Sequence, residues 1–177
     1  MVSLTDIQRF FRGTIKLSEP LAQYTDLHVG GTADYFLKPA SEEEFAELIQ
    51  YLRKNEFPFV IVQPNMLVSD KGFRGAAIYF KKDTHNTLGN KRHATMFRSP
   101  PDISVAVLVE RAGLNGMTMG GATVLADCIV NANEAKATDI LSLVTHVQRT
   151  IKKQYGVHLE LDFQLVGFEE EALAKVA

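Results

Sequence analysis

Apolar residues along this chain change their period several times, and each change marks an element. Ala33 to Leu37 is a short apolar run with two aromatics, stopped by Pro39, and reads as a strand. Ser41 follows as an N-cap, with Glu44 three residues on as its capping-box partner. Phe45, Leu48, Ile49 and Leu52 then recur at helical spacing and predict a helix to about Asn55. Phe59 to Val62 is a β-branched run expected to form a buried strand. Asp70-Lys71-Gly72 reads as a turn, and Gly75 to Phe80 as a further strand. Strand, helix, strand is a βαβ unit, which predicts a small parallel or mixed sheet.

The polar stretch from Lys81 to Lys91, with its Gly-Asn pair, is the candidate junction. Beyond it, Ile103, Val107, Leu108 and Ala112 fit one helical face, with Asp102 as cap and Gly113 as stop. Leu114 to Val124 has β character and a turn at Gly120-Gly121, and Ile129-Val130 reads as a short strand. Thr138 or Asp139 opens an amphipathic helix with Ile140, Leu141, Leu143, Val144, Val147 and Ile151 inward; Gly156 ends it. Val157 to Val166 alternates apolar and polar residues, the pattern of a half-buried strand. The acidic, Ala-rich tail after Gly167 is expected to be a frayed helix. The fold class predicted is therefore α+β (α/β), in two halves.

Composition narrows the function classes. With 46% hydrophobic residues and net charge −2, the chain is neither disordered nor a general nucleic-acid binder. No apolar run reaches the length that spans a bilayer, and Met1 to Lys16 lacks the apolar core of a signal peptide, so a cytoplasmic protein without membrane contact is expected. The lone Cys128 sits in an apolar run and reads as a structural thiol. The five histidines show no ligand-pair spacing, so no metal site is expected.

Several segments, taken in order, resemble the UDP-N-acetylenolpyruvoylglucosamine reductase (MurB) family. Thr25 to Asp34 is similar to its opening flavin-domain motif, a Thr followed by Val-Gly-Gly-x-Ala-Asp. Asn65 to Gly75 (NMLVSDKGFRG) is similar to Asn-Leu-Leu-Val-x-Asp-x-Gly-Phe-x-Gly. Phe97 to Pro100, Ala112 to Gly116, Ile129 to Ala132 and Gly156 to Asp162 resemble later family segments. The resemblance implies a flavin-domain-like half over 17–83, a junction over 84–93 and a MurB C-terminal-like half over 94–168. It implies FAD and NADPH as cofactors, a UDP-sugar as substrate, and reduction of the enolpyruvyl ether in peptidoglycan synthesis. Val29, Gly30, Gly31, Asn65, Met66 and Leu67 fall on cofactor-binding positions. Thr95 and Asp162 fall on the catalytic positions. Arg98, Ser99 and Asn131 fall on substrate-binding positions.

The chain also departs from that pattern. Family members continue, after the strand matching Ile78 to Phe80, into a long segment that forms the second wall of the flavin pocket; here the short junction stands in its place. The family's Gly-rich phosphate turn reads Val62-Gln63-Pro64-Asn65, and Pro64 has no N–H to offer a phosphate. The family's proton-donating serine is Thr95, and its closing Glu is the shorter Asp162. These changes lead us to expect a chain that is weak or inactive alone; the other reading is a scaffold that binds a nucleotide sugar or another protein. A flank left by the absent segment predicts an apolar patch, and with it self-association or a protein partner. Read without the family, Gly30-Gly31 fits ligand contact or turn geometry equally, Thr95 fits an N-cap or loop hydroxyl, Asp162 a solvated strand carboxylate, and Arg98 a phosphate ligand or a surface cation equally.

Overall fold

A computed structural model describes residues 4–80 and 93–174. In chain order the elements are α1 (Leu4–Gln8), β1 (Thr14–Pro20), a 3-10 turn (Leu21–Tyr24), β2 (Thr32–Lys38), α2 (Glu42–Lys54), β3 (Phe59–Ile61), β4 (Met66–Val68) and β5 (Phe73–Ile78). They continue with β6 (His93–Thr95), α3 (Val105–Arg111), β7 (Thr118–Met119), β8 (Ala122–Leu125), β9 (Cys128–Asn131), α4 (Ala137–Tyr155), β10 (Gln164–Val166) and α5 (Glu170–Leu173). The fold is mixed α+β, as the residue pattern predicts.

The first sheet has the order β1-β2-β5-β3, with β2, β5 and β3 parallel and β1 antiparallel at the edge. The β2–α2–β3 crossover thus leaves a gap, and β5 fills it. Alternation along the strands covers both faces. Leu37, Ala76 and Ile78 pack with Leu48 and Leu52 of α2 and with Ile7 and Phe11. Phe36, Val60 and Ala77 on the opposite face pack with Leu21, Met66, Val68 and Val166.

The second sheet, β6-β9-β8-β7, is antiparallel and turns through Gly120-Gly121 as the sequence suggests. The inward residues of α4 expected from periodicity are all buried here, among them Ile140, Val144, Val147 and Ile151. Gly156 closes α4 at φ 70°, a conformation that favours glycine. Leu27, Val29 and Leu67 from the first half lie in this same core, so the halves share apolar packing. Parallel pairing of β4 with β10 adds a backbone tie between them.

Four expectations are corrected. The ten-residue strand over 157–166 is regular only at Gln164–Val166, with one bridge from Leu161 to Phe97. Its burial alternates only as far as Leu161, and the segment changes partner at Asp162-Phe163, from the chain after β6 to β4. Ser104, not Asp102, caps α3 through the Val107 N–H at 3.3 Å, and the buried face is Val105, Leu108 and Val109 while Val107 is exposed. The helix α4 begins at Ala137, one residue before the expected start. Finally, Ser41 does cap α2, but Glu44 does not return the bond to its backbone. Its carboxylate instead accepts backbone N–H groups from Arg12, Gly13 and Ala40. The expected junction lies, apart from His93, outside the described residues. Among the described residues no helix is long and apolar enough to cross a membrane.

Candidate functional site

The seam between the halves opens into a cleft of about 230 Å³. Asp26 and Asn65 line it from the first half, and His93, Ala94, Thr95, Cys128 and Asp162 from the second. Backbone pairing explains the assembly. Thr95 ends β6 opposite Cys128 of β9. The chain beyond β6 zips to the closing segment, with Asp162 N–H donating to Met96 O at 3.0 Å and Arg98 N–H to Glu160 O at 2.9 Å. That register brings Asp162 beside Thr95. The Asn65 side-chain amide donates to Asp162 O at 3.3 Å, and Gln164 N–H returns to Asn65 O at 3.0 Å. Asp26 is held by its own N–H, which donates to Pro64 O at 2.8 Å.

Two carboxylates, an imidazole, a hydroxyl and a carboxamide therefore converge, with no lysine or arginine among the described residues of the wall. Such a wall suits a neutral, hydroxyl-rich group better than a phosphate, which recruits Arg, Lys or free backbone N–H groups. The volume falls below the roughly 300–1,000 Å³ of most ligand pockets, so the cleft admits a single ring rather than a dinucleotide. Cys128 is a poor nucleophile here. Burial pushes its thiol pKa up, and the S–H donates to Asp127 Oδ1 at 3.4 Å, whose charge raises it further. Among the described residues no cluster of His, Cys, Asp and Glu could hold a metal ion.

The other candidate residues lie elsewhere. Arg98 is exposed beside Glu160 at 3.7 Å, and neither it nor the exposed Ser99 lines the cleft. Asn131 is buried and spent on the backbone: its amide donates to Leu27 O at 2.9 Å and accepts Ala135 N–H at 2.8 Å. Val29, Met66 and Leu67 are core residues. At Gly30, φ is 118° and an added Cβ would sit 2.6 Å from Val68 Cβ; at Gly31 it would sit 2.5 Å from Asp70 O. The two glycines admit other backbone and Val68, and Gly31 N–H already donates to Ser69 O at 2.9 Å.

The residues present do not fit a flavin pyrophosphate. In the turn before β4, Gln63 N–H points at Met66 Sδ at 2.9 Å and Pro64 has none. The space at Gly30-Gly31 is already filled. Sequence reasoning misses Asp26 and His93 as site residues. Asp26 lies inside the Thr25 to Asp34 motif, which is the available signal; His93, without a pair at ligand spacing, offers none.

The fold and the seam thus define an α+β chain whose second half is an antiparallel sheet backed by one long helix. Residues 83–166 match the family described as UDP-N-acetylenolpyruvoylglucosamine reductase, C-terminal domain. The UDP-N-acetylenolpyruvoylglucosamine reductase of Halalkalibacterium halodurans is 40% identical over 95 residues, covering 50% of this chain and 30% of that protein. That of Heliobacterium modesticaldum is 34% identical over 116 residues, covering 64% of this chain and 37% of that protein. The crystal structure of the reductase MurB from Thermus caldophilus superimposes with a TM-score of 0.63 at 16% identity, covering 89% of this chain and 100% of that chain. The chain is thus similar to the MurB reductases, and its residues 83–166 match the model of their C-terminal domain. It spans about a third of the length of the curated relatives it matches.

Proposed function

We propose that this chain presents a MurB-type substrate cleft, takes the sugar portion of a UDP-sugar there, and does not reduce it unaided. The observation that carries this reading is the convergence of Thr95, Asp162 and Asn65 on one acidic cleft while the other flavin positions, Val29, Gly30, Gly31, Met66 and Leu67, are spent on packing. The Thr95 hydroxyl and the carboxylates of Asp26 and Asp162 are positioned to hydrogen-bond sugar hydroxyls, and Asn65 helps to hold Asp162 in place. In the family, hydride comes from FAD reduced by NADPH. A chain whose glycine loop is filled and whose phosphate turn contains Pro64 holds neither end of that cofactor tightly by itself, so no hydride step is assigned to it.

Titration calorimetry with UDP-N-acetylglucosamine and with UDP tests the reading. Binding of the sugar nucleotide that is weakened by Asp162→Ala and absent with UDP supports it. No heat with either ligand removes it, and leaves the non-catalytic scaffold for a protein partner. Reduction of UDP-N-acetylenolpyruvoylglucosamine by the purified chain with NADPH and FAD would replace it with an active reductase.

A further inference from the structure

We propose that two copies of this chain associate face to face through the groove between α4 and α5, each copy's α5 seated against the other's α4. The groove has a volume of about 470 Å³, larger than the seam cleft, and shares none of its lining residues. Leu141 of α4 and Ala172 of α5 give it an apolar floor. Arg149 and His146 stand along α4, and Arg149 makes no ion pair among the described residues. The hydroxyls of Ser142 and Thr145 donate to Thr138 O and Leu141 O, each at 2.7 Å, so toward the groove they present lone pairs that accept.

A recess with an unpaired cation, spare acceptors and an apolar floor suits a short segment with carboxylates, N–H donors and an apolar side chain. α5 is such a segment. Glu170 and Glu171 are exposed and make no ion pair among the described residues, and Leu173 is 38% exposed. Because α5 borders its own groove through Ala172, knob and recess lie side by side on one face. A two-fold axis through that face satisfies both copies at once, the self-complementary arrangement of closed dimers. Opposite charge sets the register, and the apolar floor and Leu173 supply the burial.

The test is sedimentation velocity on the full chain across a concentration series at low and high salt. The expected result is a monomer–dimer equilibrium that weakens with salt. Arg149→Glu alone, and Glu170→Lys with Glu171→Lys, each weaken dimerisation about tenfold or more, and combining all three changes restores it. These positions are exposed, and far-UV circular dichroism checks that each variant is folded. A monomer at every concentration overturns the proposal. So does a dimer indifferent to Arg149→Glu, or a combined variant that stays monomeric.

Discussion

Asp70, on the turn after β4, caps a helix that begins 67 residues further along the chain: its carboxylate accepts the N–H of Ala137 at 2.8 Å and of Thr138 at 3.1 Å. These are the first donors of α4, which no intrahelical carbonyl can satisfy. A full negative charge placed there also opposes the positive end of the helix dipole. The turn of one half thereby fixes the orientation of the main helix of the other. With the β4–β10 pairing, it sets the width of the seam in which the cleft lies.

Asp70→Ala removes both acceptors. We expect a loss of about 1–2 kcal/mol, the usual range for a lost N-cap. Urea denaturation measures it, with the slope unchanged. A loss within experimental error would show that water replaces the carboxylate at no cost.

Glu44 predicts a pH dependence. Burial raises its pKa, but the backbone N–H groups of Ala40, Arg12 and Gly13 outweigh this and hold the carboxyl below its ordinary 4.5. A depressed pKa contributes stability that is fully present above the unfolded value and is lost as pH falls through the folded value. Glu44→Gln should therefore cost about 1–3 kcal/mol at neutral pH and flatten the fall in stability below pH 4.5. Denaturation midpoints measured on both proteins from neutral to acidic pH decide it; parallel curves would contradict the assignment.

Two glycines separate sterics from backbone strain. Gly72 has φ 80°, and a Cβ there would overlap Thr32 O; Gly113 has φ 68° with nothing within 4 Å. Gly113→Ala should cost about 1–2 kcal/mol, the strain of a left-handed residue alone. Gly72→Ala must also push β2 away from the turn, and should cost more than that or abolish folding. Equal thermal shifts for the two variants would run against the close packing of that turn on Thr32.

Cys128 should react slowly with a thiol reagent at neutral pH and faster as pH rises. Asp127→Asn removes the neighbouring charge that raises the pKa, so its reaction at neutral pH should be several-fold faster. An unchanged rate would mean that burial alone governs the thiol.

What the residues disclose in advance follows their local physics. The helix α2 with its Ser41 cap, the inward face of α4 and the Gly120-Gly121 turn depend on nearest neighbours, and their periodicity shows them. β1 escapes a sequence reading, because an exposed edge strand carrying Lys16, Ser18 and Glu19 lacks a clean apolar alternation. Alternation over 157–166 correctly marks Leu159 and Phe163 as buried but misses Val166, which is buried on the other side of the pattern. It cannot show that Asp162-Phe163 hands the segment from one partner to another, since that depends on where β4 lies. The same limit applies to the site. Resemblance points to Thr95, Asp162 and Asn65, whereas the use of Asn131 as a clamp on Leu27 and Ala135 depends on contacts distant in sequence.

Whether this chain can hold a flavin of its own is decided by equilibrium dialysis of the purified protein against FAD, read by visible flavin absorption. We predict no saturable uptake, because the glycine loop is filled, Pro64 carries no N–H and the Gln63 N–H is already directed at Met66 Sδ. Stoichiometric flavin retained by this polypeptide alone, and bleached on addition of NADPH, would overturn the reading of a chain that does not reduce its ligand unaided.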